Sequence, residues 1–87
     1  MRYMVTFVFT QAFNAEMGAL VQAEHARITE LRDQGLVETG YLAADYSRGW
    51  VVMRGDSPEA ATEAFSSLPM YKYMQIELTP MAEQNII

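Results

Sequence analysis

The sequence has no cysteine, one histidine and one tryptophan, and its six Lys and Arg residues are outnumbered by eleven Asp and Glu. Without cysteine there is no disulfide framework, no thiolate metal site and no cysteine nucleophile. A single histidine argues against a histidine-rich metal centre. The basic residues Arg2, Arg27, Arg32, Arg48, Arg54 and Lys72 are scattered and the net charge is −5, so nucleic acid is not the expected partner. No apolar run approaches the roughly 20 residues that cross a bilayer, and a membrane partner is not expected either. Only Arg2 precedes the first short apolar run, and no small-residue cleavage pattern follows it, which reads as a cytoplasmic protein. Internal repeats, low-complexity segments and linkers are absent.

What is present is apolar and short. Residues 1–87 make one domain, with a core over 1–80 and a tail over 81–87. A chain of this size buries only about 60% of its unfolded surface when it folds alone. Its apolar fraction of 51% leaves surface to be covered by something else, and a second copy is the natural cover.

The segment from Arg2 to Thr10 alternates, Tyr3, Val5, Phe7 and Phe9 against Met4, Thr6, Val8 and Thr10, and predicts a strand. Asn14 suits an N-cap, Glu16 the first turn and Gly35 a C-terminal stop, so a helix is expected over about Ala15 to Gln34. At helical spacing Met17, Leu20, Val21, Ile28 and Leu31 form one stripe, with Glu24 at its centre and His25 and Arg32 together on its flank. Leu36 to Leu42 and Gly49 to Arg54 read as a hairpin across the polar turn from Asp45 to Gly49. Ser57 then Pro58 start a second helix that Pro69 ends near Leu68, and Tyr71 to Thr79 alternates as a last strand that Pro80 stops.

The order β-α-β-β-α-β is the split βαβ arrangement of a ferredoxin-like α+β fold, a four-stranded antiparallel sheet with both helices on one face. Its other face is left bare. The apolar strand residues Tyr3, Val5, Phe7, Phe9, Trp50, Val52, Met74, Ile76 and Leu78 should in part form that face, a patch larger than soluble monomers tolerate, and close a two-fold homodimer. The tail with Ile86 and Ile87 is placed to reach a neighbour.

Glu24 is the sharpest chemical signal. A carboxylate within a buried stripe is costly to ionise without a partner, and desolvation raises its pKa toward the range of a useful proton-transfer base. Near the helix edge it would instead reach solvent or pair with an arginine. His25 suits a proton shuttle or a donor to a substrate carboxylate beside it. Tyr3, Tyr41, Trp50, Tyr71 and Tyr73 on predicted strands are candidates for an apolar pocket with polar handles, or for core and interface. Arg48 in the turn suits an anionic substrate, or plain solvation. There is no glycine-rich phosphate loop, nucleophile elbow or metal-spaced cluster.

The segment Ser67-Leu68-Pro69-Met70-Tyr71-Lys72-Tyr73-Met74-Gln75-Ile76-Glu77-Leu78 resembles the end of helix two and the last strand of the muconolactone isomerase family, and Ala23-Glu24-His25 with Leu31 and Gly35 resembles its first helix. The resemblance spans Tyr3 to Thr79. Lys72 stands where the family usually has proline, and His25 where a lysine commonly follows the glutamate. The resemblance implies a dimeric α+β barrel and a cofactor-independent shift of a double bond in a small lactone carboxylate. Glu24 and His25 would be catalytic, and Tyr41, Arg48, Trp50 and Tyr73 would contact the substrate. The same architecture hosts cofactor-free oxygenases, polyketide cyclases and YCII-like proteins with a His-Asp pair, a pattern that His25 and Asp45 would imitate.

Overall fold

A computed structural model describes residues 1–87 throughout. Its elements are β1 (Arg2–Phe9), α1 (Ala15–Asp33), β2 (Val37–Leu42), β3 (Arg48–Arg54), α2 (Pro58–Ser66) and β4 (Met74–Met81), with a 3-10 turn over Pro69–Tyr73 before β4. The sheet order is β2-β3-β1-β4 and every pairing is antiparallel. The ferredoxin-like α+β reading holds.

Local chemistry sets the helix ends. Asn14 is extended and its side chain accepts from the Met17 N–H at 2.9 Å, and Ser57 does the same for Ala60 at 3.1 Å. The chain leaves α1 through Gly35, whose φ of 79° lies in the left-handed region that glycine enters without strain.

The β1 alternation sorts the sheet into two faces. Tyr3, Val5, Phe7 and Phe9 lie opposite Met53, Val51 and Gly49 on one side and Pro80, Leu78, Ile76 and Met74 on the other. Of these, Val5, Phe7 and Met53 meet Leu31, Phe65 and Leu68 in the core, and Phe9, Val51, Met74, Ile76 and Leu78 pack against them. Each large apolar side chain fully buried there contributes about 1.5–3 kcal/mol. Gly49 is required opposite Phe7, because a Cβ at that position would come within 2.7 Å of the Tyr41 carbonyl oxygen as well as striking the Phe7 ring.

Three expectations change. Trp50 and Val52 pair with Thr6 and Met4, so they occupy the bare face, while Tyr3, Val5, Phe7, Phe9, Met74, Ile76 and Leu78 take the helix-covered one. The bare face is thus a mixed surface of Met4, Val8 and Trp50 with Gln75, Glu77 and Thr79, Val52 being buried among them, and it is less apolar than alternation alone suggested. Tyr71 and Tyr73 lie in the 3-10 turn, since Pro69 starts a new helical turn at once. Pro80 does not stop β4, which runs on to Met81 opposite Arg2. An edge strand tolerates proline because its outward N–H has no ladder partner to lose.

Candidate active site

The α1 helix packs mainly on the 3-10 turn and on β2. Between it, the strands beneath and the Asp45–Ser47 turn opens a cleft of about 1250 Å³, with mostly apolar walls that include Phe7, Met17, Val21, Ile28 and Phe65. Phe13, Tyr41, Leu42 and Tyr46, all more than half exposed, border it as well.

Glu24 is the one charged residue in the buried set, 7% exposed, and it lines this cleft. It pairs with no arginine or lysine. Its Oε1 accepts the Met70 backbone N–H at 2.9 Å. That donor exists because Leu68-Pro69 opens a 3-10 turn with no side-chain cap, leaving the first free N–H in need of an acceptor. No fully buried side-chain oxygen in the protein lacks a partner, so the second Glu24 oxygen, which no protein group meets, keeps an opening on the cleft. Burial pushes the carboxyl above its ordinary value, and the Met70 hydrogen bond and the nearby His25 charge only partly offset this.

His25 is exposed and also lines the cleft, as does Tyr41 on the edge strand β2. The sequence-derived site residues therefore divide. Glu24 and His25 come together, Tyr41 touches the cleft at its rim while its pairing with Trp50 turns it to the bare face, and Arg48, Trp50 and Tyr73 lie outside the cleft. Arg48 and Trp50 sit on the bare sheet face, opposite Val8 and Thr6. Tyr73 donates its hydroxyl to Glu16 Oε2 at 3.0 Å under the Lys72 ammonium, 5.3 Å from the ring centre. Burial and the Glu16 carboxylate both raise the Tyr73 pKa.

Asp45 lines the cleft too, but its Oδ1 accepts from both the hydroxyl and the backbone N–H of Ser47, at 2.6 and 3.0 Å, which hold its pKa low. It serves the turn, in which Tyr46 takes a φ of 60°. Arg32, assigned no role from the sequence, also lines the cleft. Its helical spacing from His25 was the available signal. No three His, Asp or Glu side chains converge as a metal-binding group.

A ferredoxin-like α+β domain with a desolvated carboxylate at the wall of an apolar cleft defines the general class. The family model for muconolactone delta-isomerase matches residues 1–85, and the chain belongs to that family. A crystal structure of muconolactone isomerase superposes with a TM-score of 0.80 at 20% identity, over 100% of this chain and 94% of the other, a likeness of fold. No curated protein sequence matches.

Proposed function

We propose that the protein is a cofactor-independent isomerase that moves a proton, and with it a double bond, in a small unsaturated lactone or carbonyl compound. The observation that carries this reading is the Glu24 carboxyl, buried at the cleft wall with one oxygen held by the Met70 amide and the other free. The free oxygen takes a proton from the carbon next to a conjugated carbonyl and returns it further along the conjugated system. A raised pKa suits both steps, since the group must accept and release within one turnover. The Met70 N–H fixes the carboxyl without neutralising it. His25 at the same cleft supplies a donor for the negative charge that develops on the carbonyl oxygen. Family membership supports the reaction class.

Offered muconolactone, the purified protein should change its ultraviolet absorbance as the double bond shifts. No change with muconolactone or related unsaturated lactones overturns the reading. One observation favours a second reading: about 1250 Å³ exceeds the roughly 300–1,000 Å³ of ordinary ligand pockets and would admit a larger aromatic or polyketide substrate for a cyclase or oxygenase. Oxygen uptake with a phenolic substrate separates an oxygenase from the isomerase.

The working form is a cytoplasmic homodimer closed through the bare sheet face, on which Trp50 stands between Thr6 and Tyr41. Trp50→Glu should reduce the mass seen by light scattering to that of the monomer. A wild-type monomer at micromolar concentration contradicts the dimer.

A further inference from the structure

Three of the six Lys and Arg side chains are held by carboxylates. Arg2 donates from Nε and Nη2 to Glu38 at 3.1 and 3.2 Å, and Arg54 reaches the same carboxylate at 2.7 Å. Arg27 pairs with Glu30 at 2.9 Å. Arg48 stands on the far face of the sheet and Lys72 lies over Tyr73. Arg32 is the arginine that lines the cleft, and no carboxylate approaches it within 4.0 Å. The two other acids bordering the cleft cannot serve it without giving up existing partners, since Glu38 is held by two arginines and Asp45 by Ser47.

In a chain of net charge −5 an uncommitted guanidinium beside an apolar cleft is a local reversal of sign. Its position on α1 matters. Arg32 follows His25 by two turns on the same flank of the helix and lies about 12 Å along the axis from Glu24. Long helical side chains lean toward the helix N-terminus, Glu24 as well as Arg32, so the separation along the axis is kept between their heads. The apolar cleft of about 1250 Å³ that both residues line has room for a small cyclic acid.

We propose that Arg32 is the substrate-carboxylate anchor of this cleft, and that it selects acids over their neutral analogues while placing the reacting carbon at Glu24. The fork of the guanidinium matches the two oxygens of a carboxylate, and the apolar walls take the ring. The anchor rests on the reading of Glu24 as the base, but its test does not depend on turnover.

The test uses an unreactive pair of probes, cyclopentylacetate and its methyl ester, titrated into the full-length protein and followed by NMR. The wild type should bind the acid about tenfold or more tightly than the ester, the scale of one charge-assisted hydrogen-bonded pair. Arg32→Gln should lose that preference through weaker binding of the acid alone, with the ester unchanged and the spectrum still that of the folded protein. Glu24→Gln should keep the preference. Equal binding of acid and ester by the wild type, or a preference that survives in Arg32→Gln, overturns the anchor. If the wild type shows the preference and Arg32→Gln loses it, yet muconolactone is not isomerised, the anchor stands and the isomerase reading fails.

Discussion

Glu24 on α1 and Glu38 on β2 both stand along the cleft, but the Glu38 carboxyl is turned to the bare sheet face by Arg2 and Arg54, and the protein surrounds the two acids in opposite ways. Burial works to raise Glu38 as well, but the hydrogen bond and charge of Arg2, reinforced by Arg54, outweigh it and hold its carboxyl below the ordinary value. Glu24 is more deeply buried and receives one neutral amide, so its pKa rises. Glu38 is stabilised as a charge and gives up little proton affinity to a ligand. Glu24 is left with proton affinity to use. Two residues of one type thus separate by the company they keep, Glu38 held as an ion on the bare face and Glu24, the proposed base, left without a cation at the cleft.

Removing each charge in turn tests that separation. Glu24→Gln should lower turnover by about 10²-fold or more, the scale of a lost general base. Its melting temperature should hold or rise, because the amide oxygen still accepts from Met70 and the desolvated charge is gone. A destabilised but fully active Glu24→Gln protein would reverse the roles assigned here.

Glu38→Gln should have the opposite effect on stability. It leaves Arg2, whose side chain is only 12% exposed, without its carboxylate, and a loss of about 1–2 kcal/mol in denaturant unfolding is expected, between the values for exposed and buried pairs. Arg54 is half exposed and adds little to that loss.

The smallest expected effect is on the pH dependence of stability. The folded pKa of Glu24 is raised, so its contribution is fully present below the unfolded value near 4.5 and is lost as pH rises through the folded value. Glu38 is lowered, so its contribution is present above 4.5 and is lost as pH falls through its folded value. The stability gained in Glu24→Gln over wild type should therefore be widest near neutral pH and close below pH 4.5. A gap that widens toward acid would mean that Glu24 is held as an ion.

Much of this was legible from residue order. The alternation of β1, the caps at Asn14 and Ser57 and the stop at Gly35 are local signals, and they placed the elements within a residue or two at most ends. Glu24 stood out because helical periodicity alone puts it among apolar neighbours. The sheet faces of Trp50 and Val52 were not legible, since they depend on the register of β3 against β1, a long-range property. The 3-10 turn of Tyr71 and Tyr73 hid behind an alternation that looks like strand. The partner of Glu24 left no trace in side-chain chemistry because it is a backbone amide, exposed by the geometry that Pro69 imposes. Arg32 carried only a spacing, and what distinguishes it is that the other arginines are occupied or face away, which requires the folded chain.

The most direct test of the account is an NMR titration of the isotope-labelled Glu24 carboxyl carbon, compared with the acid limb of kcat/KM on muconolactone. The titration midpoint should lie above the ordinary glutamate value of 4.5 and coincide with the pH at which activity falls away as the base is protonated. A midpoint at or below 4.5, or an activity profile that ignores it, would contradict the claim that Glu24 is kept uncompensated in order to move a proton.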